Sequence, residues 1–157
     1  MKSNSRFLKG FVIFSSLCLL LVCLWGLPEI GHSFVDMSPD LSYYYWPWLI
    51  FLWVTAAPWF IELILAWQIF DSIGRDEAFT LDNGTRFKKM SHIALADVIG
   101  FMAVNVVYML IGMHHPGIML LSIFVSLAGV AFVICTASLS DLVNRAAELQ
   151  DQYDLTI

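Results

Sequence analysis

Four unbroken apolar runs, at about 7–27, 46–70, 91–113 and 118–139, account for most of the chain, and short polar segments separate them. Each run reaches the roughly 20 residues that a helix needs to cross a hydrocarbon layer of about 30 Å. The pattern predicts an all-α integral membrane protein: one domain over 1–157, a four-helix bundle with up-down connectivity. Past 139 the pattern changes. Leu142, Ala146, Leu149 and Tyr153 recur at helical spacing with Asp141, Arg145, Glu148 and Asp151 between them. That spacing predicts an amphipathic helical extension over 140–157, outside the membrane.

The basic residues give the orientation. Lys2, Arg6 and Lys9 lie at the start of the first run; Arg75, Arg86, Lys88 and Lys89 lie between the second and third; Arg145 follows the fourth. The other two connections contain no Lys or Arg. Positive charge is retained on the cytoplasmic side, so the alternation predicts both termini inside a bacterial cytoplasmic membrane. The basic start also resembles the n-region of a secretory signal, but no A-x-A-like site follows it, and its removal would leave three spans. The connection 28–44 is expected to be a loop. It re-enters the membrane through Tyr43-Tyr44-Tyr45-Trp46-Pro47-Trp48, an aromatic belt at headgroup depth.

Composition narrows the function classes. The chain is 59% hydrophobic and 13% charged, against roughly 25% charged in soluble domains. Lipid is the expected partner for most of its surface. A net charge of −5 argues against direct nucleic-acid binding, which requires a basic face. Cys18, Cys23 and Cys135 all fall inside apolar runs, where cysteine packs as a small hydrophobe. The absence of loop cysteines removes the four-span thiol–disulfide oxidoreductases.

Two carboxylates fall inside spans, Glu62 in the second and Asp97 in the third. A buried acid costs a few kcal/mol on insertion scales, so each needs a compensating environment. At 1.5 Å per residue they lie ~12 Å and ~9 Å from the same membrane surface, close enough in level to face each other. Thr55, Pro58, Glu62 and Ala66 share one helical stripe; Asp97, Gly100, Val104 and Tyr108 share another, with Asn105 to one side. Glu62, Asp97 and Asn105 form the candidate intramembrane polar site. Three roles compete for it: hydrogen bonding between helices, a proton- or cation-coupled site, and a signal-sensing pocket. The four-span multidrug exporters carry their essential acid in the first span, where this chain has none.

Other motifs are sparse. His114 and His115 are adjacent in a short hairpin and read as a polar turn; with Glu29, His32, Asp36 and Asp40 they do not make a convincing metal set. His92 reads as an interfacial residue. Asn83-Gly84-Thr85 fits a glycosylation acceptor, but on the inner side it reads as a turn. No phosphate-binding loop, dinucleotide glycine pattern, H-E-x-x-H or nucleophile elbow occurs. The sequence predicts no enzyme, no metal and no cofactor.

Two segments carry a resemblance. Phe79-Thr80-Leu81-Asp82-Asn83-Gly84-Thr85-Arg86-Phe87-Lys88-Lys89 precedes the third run, and the chain ends Glu148-Leu149-Gln150-Asp151-Gln152-Tyr153-Asp154-Leu155-Thr156-Ile157. Together they resemble the YoaS-like family of bacterial four-span membrane proteins, whose third span is preceded by an F-x-x-x-N type of motif and whose chains end in an acidic D-L-T-I-type tail. Tyr153 departs from that pattern. The resemblance implies an association with a small helix-turn-helix regulator. Arg75, Arg86, Lys88, Lys89, Arg145, Glu148, Asp151 and Asp154 are the expected partner-binding residues. The expected function is a non-enzymatic regulatory membrane protein that binds such a regulator. The alternative is a small proton-linked transporter or immunity-type protein using Glu62 and Asp97.

Overall fold

The computed structural model describes residues 2–37, 39–113 and 116–154, with side chains described for 5–36, 39–40, 42–113 and 116–153. His114, His115 and the tail from Leu155 lie outside the described residues, as does the side chain of Asp154. The chain runs α1 (Lys2–Leu21), a π-helical turn (Val22–Gly26), α2 (Leu27–Met37), a 3-10 turn (Pro39–Tyr44), α3 (Tyr45–Gly74), α4 (Leu81–Leu110) and α5 (Pro116–Asp154). Four stretches among the described residues are long and apolar enough to cross a membrane: Ser5–Asp36, Ser42–Gly74, Leu81–Leu110 and Pro116–Tyr153. The all-α membrane bundle is as the sequence predicts.

Contacts at the helix ends set the arrangement. The Ser5 hydroxyl donates to the Phe70 carbonyl at 2.6 Å, and Lys9 pairs with Asp71, which places the start of α1 beside the end of α3. The Ser140 hydroxyl donates to the Gly84 carbonyl at 2.7 Å, tying α5 to the first turn of α4. The start of α1, the α3–α4 connection and the last third of α5 therefore share one end, and the described basic side chains all lie there. At the other end the Tyr108 hydroxyl donates to the Pro47 carbonyl at 3.3 Å.

The most extensive packing is between α4 and α5. Its cause is a stripe of small residues. Ser122, Ser126, Thr136, Ser140, Val143 and Ala147 are buried along α5, and Gly84, Ser91, Ala94 and Asn105 are buried along α4. Both sets follow heptad-like spacing, and small side chains let backbones approach in lipid. A Cβ at Gly129 would overlap Val98, and one at Gly84 would overlap Asn144. Large apolar side chains such as Phe14, Leu17, Leu121, Phe124 and Ile134 lie outside instead. This inside-out distribution is what lipid as solvent requires.

Two expectations need correction. The segment 28–44 is not a loop: helix continues to Met37, and a 3-10 turn leads directly into α3. Proline did not stop the helix at residue 28 because the π-helical turn before it absorbs the defect. Asn83-Gly84-Thr85 is not a turn either. Thr80 caps α4 by accepting from the Asn83 amide at 3.4 Å, so these three residues form the helix's first turn. The connection between α3 and α4 shortens to six residues, Arg75 to Thr80.

α5 comprises 39 residues, about 58 Å at 1.5 Å per residue. That exceeds a hydrocarbon layer of about 30 Å by several turns. The extension predicted past 139 is a continuous part of this helix.

Candidate functional site

Glu62 lies on α3 and is buried to 8% exposure; Asp97 lies on α4 and is half-buried. The two are near enough for their charges to act on each other, as their similar levels suggested. Trp59, one turn before Glu62, lines the same cavity as Asp97. Among the described residues no ion pair involves either acid.

Asp97 opens onto a cavity of about 240 Å³ to which all four spanning segments contribute. Val22 and Cys23 line it from the first, Thr55 and Trp59 from α3, Asp97 and Phe101 from α4, and Ser126 and Gly129 from α5. Because α5 packs chiefly on α4, it does not close against α1 here. Ser126 is 8% exposed, and among the described residues its Oγ has no hydrogen-bond partner.

Asn105 belongs to a different place. It is 2% exposed; its amide nitrogen donates to the Phe101 carbonyl at 2.8 Å, and its amide oxygen accepts from the Ser122 hydroxyl at 2.9 Å. The nitrogen bonds within α4, and the oxygen fixes α4 to α5. The sequence grouped three polar residues, whereas the structure brings together Glu62 and Asp97 and leaves Asn105 in the helix seam. Ser126 and Trp59 were missed. The signal for Ser126 was its place in the spacing Ser122, Ser126, Gly129 on one helical face.

A second concave site lies at the basic end. The connection Arg75–Thr80 and the last turns of α5 enclose a cleft of about 600 Å³, lined by Asp76, Glu77, Asp82 and Asp151 with Phe79, Leu81, Ala147 and Gln150. Among the described residues the lining contains four carboxylates and no Lys or Arg. Its floor is held by Asn83, fully buried, whose amide nitrogen donates to the Glu77 carbonyl at 3.0 Å and the Ala78 carbonyl at 3.1 Å. Arg86 donates to Asn83 Oδ1 at 2.6 Å and to Ser72 Oγ at 3.0 Å. Arg86 is therefore turned inward as part of this support. Asp76 adopts a left-handed φ of 63°, a conformation that Asp tolerates better than most side chains.

Apart from Asp154, whose side chain lies outside the described residues, the remaining expected partner-binding residues are on the surface. Arg75 pairs with Asp71 and with Glu77, each at 3.4 Å. Lys88, Lys89, Arg145, Glu148 and Asp151 are exposed. Phe79 and Leu149 are more than half exposed beside them. The cleft lining is thus acidic and partly apolar, and none of these cations is part of it.

At the opposite end the aromatic cluster divides. Tyr43 and Trp46 point outward, as a headgroup belt would. Tyr45 turns inward, stacking on His32 at 4.7 Å between ring centroids and lying 3.2 Å by its hydroxyl from His32 Nε2. Among the described residues no group of three His, Cys, Asp or Glu is placed to hold a metal ion.

Residues 30–157 match the family model described as "Protein of unknown function (DUF2975)". The chain is 24% identical over 158 residues to the "Uncharacterized membrane protein YoaS" of Bacillus subtilis strain 168, covering 99% of each chain. No solved structure matches. With four fifths of its length matched, helices α3 to α5 and the acidic cleft included, the chain belongs to the DUF2975 family.

Proposed function

We propose that this chain is a non-enzymatic regulatory membrane protein that holds a small, basic helix-turn-helix regulator at the cytoplasmic face. The observation that carries this reading is the acidic cleft between the α3–α4 connection and the end of α5. A DNA-binding module presents a basic face to phosphate. Asp76, Glu77, Asp82 and Asp151 compete with phosphate for that face, and Phe79 offers apolar contact beside them. A regulator seated there is withheld from DNA. The clustering of basic residues at the same end supports a cytoplasmic location for the cleft.

The test is capture of a small basic helix-turn-helix regulator from the same organism. The full-length protein in detergent should retain it on a column, and removal of 148–157 should release it. Unchanged co-purification after that deletion would sink the reading.

A second reading is favoured by one observation: two acids on neighbouring spanning helices, Glu62 and Asp97, have no ion-pair partner among the described residues. In it the two acids carry protons for a small transporter. Glu62→Gln should then abolish proton-coupled uptake in vesicles while the protein still folds, and retained uptake removes this reading.

A further inference from the structure

We propose that the cavity between the four helices is a binding site for a small lipophilic amine, with Asp97 as its counter-ion. The site is separate from the acidic cleft and does not depend on what docks there. Three observations carry it.

The first is charge. Asp97 lines the cavity with Glu62 nearby, and among the described residues neither acid has an ion-pair partner. A cation is the missing complement. The second is hydrogen bonding. Ser126 lines the same cavity, is nine-tenths buried, and its Oγ has no partner. Buried polar groups of this kind are costly unless satisfied. An ammonium has three N–H donors, enough in number for both the Asp97 carboxylate and the Ser126 hydroxyl that line this cavity. The third is the apolar remainder of the wall: Leu19, Val22, Leu52, Phe101 and Val125 suit a hydrocarbon chain. A cavity of about 240 Å³ is several times the ~30 Å³ share of a water molecule.

Proton balance fits a site inside a bilayer. A neutral amine meeting a neutral carboxylic acid and an ammonium meeting a carboxylate have the same composition and no net charge. In the first case the Asp97 O–H breaks, an N–H forms, and the proton remains within the pair. The ligand therefore arrives through lipid uncharged and is held as an ion pair, without carrying net charge into the bilayer. The Trp59 side chain lines the same cavity and offers a ring face to the cation.

The probe is octylamine, titrated against the full-length protein in nanodiscs of neutral lipid, with empty nanodiscs subtracted. Wild type should bind at least ten times more tightly than Asp97→Asn. Ser126→Ala should weaken binding roughly threefold to tenfold, the worth of one hydrogen bond. Octan-1-ol should bind wild type and Asp97→Asn alike and more weakly than the amine. Ala56→Leu keeps the acid but fills the cavity, and should abolish binding if Asp97→Asn does not fold. Equal octylamine affinity in wild type and folded Asp97→Asn overturns the proposal. So does octanol binding as tight as octylamine, or unchanged affinity in Ala56→Leu.

Discussion

The Trp53 indole donates to the backbone carbonyl of Cys23 at 2.8 Å, joining α3 to the π-helical turn of the first span. In that turn the Leu27 amide bonds to the Val22 carbonyl, a spacing of five. The next donor in register belongs to residue 28, and Pro28 has no N–H. The Cys23 carbonyl is therefore left without an intrahelical donor, and Trp53 supplies one from the neighbouring helix. Bilayer interior offers no water to do so.

Trp53→Phe should consequently lower the stability in detergent by about 1 kcal/mol, the net worth of one hydrogen bond. In a Pro28→Ala background the missing donor returns, and the same substitution should cost much less. Thermal unfolding of the four proteins of this cycle measures the coupling. Equal costs in both backgrounds would separate Pro28 from the Trp53 contact.

The seam between α4 and α5 makes a second prediction. Asn105→Ala and Ser122→Ala should each destabilise by about 1 kcal/mol, the range of interhelical hydrogen bonds in membranes. Ser122→Ala strands a buried amide oxygen, so the double substitution should cost less than the sum. Additive losses in a melting experiment would show that the two side chains act independently.

Gly84→Ala should be more damaging than a glycine-to-alanine change in an exposed helix, where alanine is favoured. A Cβ there overlaps the Asn144 side chain, and overpacking costs typically 1–3 kcal/mol. Asn144→Ala should restore most of the loss. Failure of that rescue would mean that Gly84 is needed for something other than closeness to Asn144.

For the acidic cleft, the combined variant Asp76→Asn, Glu77→Gln, Asp82→Asn and Asp151→Asn should weaken regulator capture by tenfold or more. Wild-type capture should also fall as salt rises, since exposed charges are screened beyond about 10 Å at 0.1 M. Capture indifferent both to salt and to the four substitutions would remove charge from the mechanism.

Topology is checked with reporters. A periplasm-active reporter fused after Ile157 should stay silent, and the same reporter inserted between Asp36 and Ser42 should be active. The opposite pattern would invert the orientation and place the acidic cleft outside.

Much of this architecture is legible from spacing. Run lengths predict four helices, the pattern past 139 predicts the extension of α5, and the alternation of basic residues predicts that the termini and the α3–α4 connection share one end. The similar level of Glu62 and Asp97 on adjacent helices is also read from spacing alone. Local rules failed at two places. Pro28 reads as a helix stop because single-sequence reasoning does not include a π-helical turn ahead of it or a donor from Trp53. Asn83-Gly84-Thr85 reads as a turn because Asn and Gly favour turns, while here Gly84 serves close packing and Asn83 holds the preceding loop.

By itself, then, the sequence determined which segments enter lipid and which end of the bundle carries the positive charge. Both depend on transfer free energies summed along one dimension of the chain, and neither needs a partner residue. Only the tertiary structure decided that Asn105 is a seam residue, that Ser126 is unpartnered at a cavity with Asp97, and that Asp76, Glu77, Asp82 and Asp151 line one cleft. These are relations between distant segments. The close approach of α4 and α5 at Gly84 and Gly129 sets them, because it draws α5 onto α4 and leaves space on the side facing α1.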